Sequence, residues 1–210
     1  MTRAETLAWV KRGYTDGTRR LAARWIGGLA RTRVTPNALT AAGITLCAAS
    51  AVIVWFAYHR PWLLYWLAAL VFVVGSVLDI LDGALARSSG KGTAFGAFLD
   101  STTDRIGEAF MLGAIALVFS RDGNDVALAF AFAAVAGSFL VSYTRARAEA
   151  LGLKGDVGIG SRAERVVVIV TGLVLAPWGV LPWAIYLLTA TAWITVVQRV
   201  LAVRSQLQQQ

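Results

Sequence analysis

Six long apolar stretches, at about 37–58, 61–87, 93–119, 125–148, 163–179 and 181–203, take up most of this chain of 210 residues. A bilayer core is crossed by ~20 predominantly apolar residues in helical form, because only a helix satisfies its own backbone polar groups where water is absent. Only 15% of the residues are charged and the mean hydropathy is +0.63, whereas soluble domains carry ~25% charge. A soluble enzyme is excluded. The predicted fold is all-α and integral to a membrane, with six transmembrane helices and short turns such as His59-Arg60-Pro61 and Asp122-Gly123-Asn124 between them. The single Cys and single His exclude a disulfide framework and a Cys-based zinc site.

Basic residues set the orientation, because they gather on the cytoplasmic side. With a cytoplasmic N-terminus, eighteen of the twenty Lys and Arg residues fall on that side and only Arg60 and Arg121 fall outside. The expectation is a multi-pass plasma-membrane protein with both termini cytoplasmic. The high pI then reports topology, and no nucleic-acid-binding module accompanies it. Residues 1–34 place Leu7, Val10, Tyr14, Leu21, Trp25 and Leu29 at helix-like spacing with bases on the other face. They read either as an amphipathic helix lying on the anionic leaflet or as a positive-inside tail. No cleavable leader is expected from so basic and interrupted a start.

Four acids stand where acids are costly. Asp79 and Asp82 end the second apolar stretch, and Asp100 and Asp104 lie in the third. An ionised group there costs several kcal/mol unless it is paired, wetted or bound to a cation. Spacings of three and four put each pair on one helical face. The short loop between the two helices predicts antiparallel neighbours whose acidic faces converge. Oxygen-only donors select Mg²⁺ or Mn²⁺, and four carboxylates suit a two-metal cluster that can hold a diphosphate. Gly83 leaves room beside Asp82, and Arg87 is spaced to meet a phosphate. The competing reading is a set of structural ion pairs, for which only Arg87 and Arg105 are near in sequence.

The run Asp79-Ile-Leu-Asp82-Gly83-Ala-Leu-Ala86-Arg87, followed by Gly96, Asp100 and Asp104, resembles the D-x2-D-G-x2-A-R-x8-G-x3-D-x3-D signature of the CDP-alcohol phosphotransferases without gap or substitution. The resemblance covers nearly the whole chain. It implies a six-helix membrane domain at 35–205, followed by a polar tail at 206–210, and a homodimer facing the cytosol. The implied reaction is attack by an alcohol on the β-phosphorus of CDP-diacylglycerol, displacing CMP. By the same resemblance Asp79, Asp82 and Asp100 would bind metal, with Asp104 joining them and acting as general base. Gly83, Ala86 and Gly96 would make room for cytidine, and Arg87 and Thr93 would meet the diphosphate. Asn37, Ala38, Leu39 and Thr40 open the first helix and are candidate nucleotide contacts through free backbone N–H groups; simple helix capping is the alternative.

A second set of bases bears on the acceptor. Arg145 and Arg147 end the fourth stretch, Arg162 and Arg165 open the fifth, and Arg199 lies near the end of the sixth. Guanidiniums converging from three helix ends make a phosphate site; the plain alternative is positive-inside flanking. Nearby Glu149 and Glu164 read as acids that orient these arginines. The run Ser142-Tyr143-Thr144-Arg145-Ala146-Arg147-Ala148-Glu149 resembles that of the actinobacterial phosphatidylinositol-phosphate synthases, with Arg145 where Lys is common and Ser161 where Glu is common. This implies myo-inositol phosphate as acceptor. Phosphatidylglycerophosphate synthesis from glycerol 3-phosphate is the nearest alternative, and a divalent cation transporter is the alternative of another class.

Overall fold

The computed structural model describes residues 34–90 and 92–208, so the segment read over 1–34 as an interfacial helix or a positive-inside tail lies, except for Val34, outside the described residues. Six helices follow in order: α1 (Pro36–Trp55), α2 (Pro61–Ser89), α3 (Ala94–Arg121), α4 (Asp125–Ala150), α5 (Arg162–Val174) and α6 (Leu181–Leu207). There is no strand among the described residues. Their boundaries follow from local chemistry. Pro36 and Pro61 occupy first turns, where a missing N–H costs nothing. Thr35, Thr93 and Asn124 each accept a backbone N–H from three residues on. Gly90 ends α2 in the left-handed region at φ 65°.

Four helices, α1, α2, α4 and α6, are long and apolar enough to cross a membrane, and the protein is membrane-embedded. Two of the six expected spans, α3 and α5, fall outside this set. Helix α3 has the length, at 28 residues, but it carries Asp100, Asp104, Arg105 and Glu108. Helix α5 has only 13 residues before the chain passes into a 3-10 turn at Ala176–Trp178, because Pro177 cannot continue an α-helix.

Nor are α2 and α3 packed neighbours along their length, as the short loop suggested; α1 lies between them and packs on both. Small residues allow it. A methyl group added at Gly75 of α2 would stand 2.9 Å from the Gly43 carbonyl oxygen and 3.1 Å from Cys47 Sγ, and one at Gly107 of α3 would stand 3.3 Å from Cys47 Cβ. Close approach of this kind is how helices associate in lipid, where there is no hydrophobic drive between them. Helix α4 packs on α6, and α5 fills the space between α2 and α6.

The buried interior includes Val54, Met111, Ile115, Ile169, Leu173 and Leu188. At the end opposite the acids, the Trp62 ring meets Trp178 edge-on at 4.6 Å, and Trp66 Nε1 donates to the Val174 carbonyl at 3.0 Å. These contacts pin the end of the short α5 to α2, and the amphipathic rings suit the membrane interface. Gly75→Ala is expected to destabilise the protein by about 1–3 kcal/mol through overpacking against α1. Thermal unfolding in detergent measures this, and an unshifted melting curve would contradict the close approach of α1 and α2.

Candidate active site

Helix periodicity turns the acids of α2 and α3 inward, and α1 brings them together by holding both helices. Carboxylate oxygens of Asp79, Asp82 and Asp100 all lie within 4.8 Å of one another. Asp79 and Asp82 are buried, at 7% and 2% exposed. Thr40 of α1 donates its hydroxyl to Asp82 Oδ2, while Asp82 Oδ1 is buried with no hydrogen-bond partner among the described residues. A buried carboxylate oxygen left unpaired costs free energy, and three converging carboxylates repel one another. Both facts fit a hard divalent cation, for which oxygen donors at this spacing are the preferred environment.

Asp104 does not join the three. One turn beyond Asp100 on α3, it meets Arg162 at the start of α5, with Oδ1 2.6 Å from Nη2. The same guanidinium pairs with Asp79 through Nη1. The bases that neutralise these acids are therefore neither Arg87 nor Arg105, which sequence proximity suggested, but an arginine 58 positions beyond Asp104. Its approach depends on the cap of α5: Ser161 Oγ accepts the Glu164 N–H and Glu164 returns the bond to the Ser161 N–H, at 2.7 Å. Glu164 thus caps the helix and does not orient an arginine.

A cavity of about 200 Å³ opens on the acids from one side. Asn37, Thr40, Gly83, Ala86, Arg87, Thr93 and Gly96, all expected on the nucleotide side, line it. Ala38 and Leu39 do not. Their N–H groups bond to Thr35, so at these two positions the backbone is occupied by capping, and Leu39 is turned into the protein at 8% exposed. A Cβ at Gly83 would contact Arg87 Nη1 at 3.4 Å, and one at Gly96 would stand 3.5 Å from Asn37 Oδ1. The glycines keep the wall thin where α1, α2 and α3 meet.

A second cavity of about 210 Å³ lies on the other side of Asp104. Arg145, Arg162, Arg165 and Arg199 line it, together with Arg105, which the sequence reading had not placed there. Arg147 does not. Helix α4 stays regular to Ala150, so residues two apart point to nearly opposite faces, and Arg147 is turned away from the face that carries Arg145. Arg145 Nε donates to Glu149 at 2.8 Å, which is the expected orienting pair. Arg199 is buried at 7% exposed and donates to the carbonyls of Val141 and Val157.

Sequence reasoning missed Glu108, which lines this cavity and forms a two-point ion pair with Arg165 at 2.7 and 2.9 Å. Its spacing of four from Asp104 on the same face was the available signal.

The family model described as CDP-alcohol phosphatidyltransferase matches residues 33–205. The chain belongs to the CDP-alcohol phosphatidyltransferase family. It is 40% identical over 188 residues to the phosphatidylinositol phosphate synthase of Cutibacterium acnes, covering 84% of this chain and 88% of that one. It is 39% identical over 184 residues to the archaetidylinositol phosphate synthase of Pyrococcus horikoshii, covering 86% and 89%. Among solved structures, the Mycobacterium tuberculosis phosphatidylinositol phosphate synthase with CDP-DAG bound superposes with a TM-score of 0.77 at 31% identity, covering 88% of this chain and 94% of that one. The same enzyme in complex with manganese and citrate gives 0.76 at 32% identity, with 87% and 88% covered. Membership in this family and the acid cluster agree on divalent metal use.

Asp82→Asn is expected to weaken Mn²⁺ binding by at least about tenfold, since disturbing even an outer-shell partner commonly costs that much. Titration of the purified protein followed by electron paramagnetic resonance of free Mn²⁺ checks it. Unchanged affinity would remove Asp82 from the metal set.

Proposed function

We propose that this transferase moves the phosphatidyl group of CDP-diacylglycerol to myo-inositol phosphate, releasing CMP and forming phosphatidylinositol phosphate for phospholipid biosynthesis. One observation carries the reading: Asp82 and Asp100 line a cavity walled by the signature's small residues, and Asp104 lines another walled by arginines. A phosphoryl transfer between a nucleotide lipid and a phosphorylated alcohol uses both sides. The relatives named above as phosphatidylinositol phosphate synthases, and the solved structure with CDP-DAG bound, support the same donor and acceptor.

In this reading Asp79, Asp82 and Asp100 hold Mg²⁺ or Mn²⁺ as a two-metal site, with Asp104 at its edge. Held there, a divalent cation would supply charge neutralisation for the diphosphate and for the departing CMP. Asn37, Thr40, Gly83, Ala86, Arg87, Thr93 and Gly96 receive the CDP moiety, with Ala38 and Leu39 supporting them from the first turns of α1. Asp104 takes the proton of the attacking hydroxyl. A new bond forms between that oxygen and the β-phosphorus, the bond from phosphorus to the CMP oxygen breaks, and CMP leaves with the electron pair. Arg145, Arg162, Arg165 and Arg199 hold the acceptor's phosphate. Arg147 contributes positive potential from outside the cavity, which acts on the rate of encounter.

We place all six helices in the bilayer, as the domain over 35–205. Asp104 and Glu108 of α3 are met by Arg162 and Arg165 from α5, and its 28 residues reach ~42 Å at 1.5 Å per residue. The short α5 crosses with the help of the turn that follows it. The acidic end faces the cytoplasm by the distribution of bases. Two chains associate as a homodimer.

Asp104→Asn should abolish CMP release from CDP-diacylglycerol while the protein keeps its melting temperature; retained turnover would overturn the base assignment. Offered separately to purified protein, myo-inositol 3-phosphate should yield lipid product, and free inositol and glycerol 3-phosphate should not. Product from glycerol 3-phosphate alone would replace the acceptor proposed here. Movement of Mn²⁺ into proteoliposomes without any nucleotide lipid would mark a transporter instead.

A further inference from the structure

Glu108 lies outside the eight-position signature, yet it is the third acid on one face of α3, after Asp100 and Asp104 at steps of four. Its side chain is 13% exposed. It borders both the arginine-lined cavity and the small enclosed space of about 20 Å³ beside Asp79, Asp104 and Arg162. Its hydrogen bonds come from two other helices. Arg165 Nε donates to Oε1 at 2.7 Å and Nη2 to Oε2 at 2.9 Å, and Ser138 of α4 donates its hydroxyl to Oε1 at 2.9 Å. Arg165 completes the set by donating Nη1 to the Gly160 carbonyl at 2.8 Å.

A guanidinium has five N–H donors in a fixed fork. Glu108 and Gly160 engage three, which leaves one on each terminal nitrogen. The plane of the fork is fixed by the two-point pair, so these last donors have a set direction at the cavity wall that Arg165 forms. A free arginine on a flexible stem would lose rotamer entropy on meeting a ligand, and one already held loses less. The carboxylate also offsets one positive charge among five arginines, lowering their mutual repulsion before an anion arrives.

We propose that Glu108 is a positioning residue for the acceptor's phosphate, acting through Arg165 and leaving the nucleotide side untouched. The inference rests on the functional reading above only in naming the cavity's ligand as a phosphorylated alcohol. Glu108→Gln keeps the shape and removes the charge that holds the fork. It is expected to raise KM for the acceptor by about tenfold, the size of one charge-assisted hydrogen-bond pair. KM for CDP-diacylglycerol should stay unchanged and kcat should fall by less than about threefold. Glu108→Asp should recover part of the loss.

Ser138→Ala removes one donor to Oε1 at little risk to folding, and should raise the acceptor KM by about twofold to threefold with the same split. Equal rises in both KM values, or a fall in kcat alone, would show a structural ion pair and overturn the proposal; so would an unchanged acceptor KM in Glu108→Gln and Ser138→Ala. The measurement uses whichever phosphorylated alcohol the unaltered protein consumes. A wrong acceptor identity therefore appears in the unaltered protein, and a wrong role for Glu108 only in the variants.

Discussion

Carboxylates set into apolar helices are the constraint from which this architecture follows. Each would cost several kcal/mol if left ionised and unpaired at that depth, so every element near them supplies a counterpart. Helix α1 brings the Thr40 hydroxyl to Asp82, and α5 brings Arg162 to Asp79 and Asp104. Helix α4 brings Ser138 to Glu108, where Arg165 also arrives from α5. The polar groups thus join five of the six helices at one end of the bundle. The other end closes by aromatic and apolar contact.

This division places the chemistry. Arg162 lines both the enclosed space beside Asp79 and the arginine cavity, so it stands at the boundary between the metal acids and the acceptor side. Arg165 is fixed by an acid and a carbonyl, and Arg199 by two carbonyls. Three guanidiniums at one level are tolerable because each has an oxygen to meet. The loop from Leu151 to Ser161 is fastened to α6 as well: Gly160 donates its N–H to Thr195 Oγ1 at 2.8 Å, and Gln206 bonds the backbone of Lys154 through both amide atoms.

Much of this was legible in the sequence because it is carried by spacing along single helices. Apolar length gave the helices, and steps of three and four gave the acidic faces and the small residues beside them. What was not legible depends on which helices touch. Nothing local indicates that α1 lies between α2 and α3; that follows from Gly43 of α1 meeting Gly75 of α2 and from Cys47 of α1 meeting Gly107 of α3. Arg162 as partner of Asp79 and Asp104 could not be read for the same reason, and Arg147 lies off the cavity because α4 stays regular to Ala150. In space Asp104 falls outside the cluster of the other three and shares Arg162 with Asp79.

The position of α1 has a consequence for how the molecule is assembled. A hairpin of α2 and α3 could pair by itself as soon as both were inserted, if those two helices were the natural neighbours. Here the space between them belongs to the helix inserted before either, so the pair must close around an element already present. The site therefore has no two-helix precursor: the carboxylates meet only once three helices have met, and an incompletely inserted chain does not yet hold a cation-binding cluster in the bilayer.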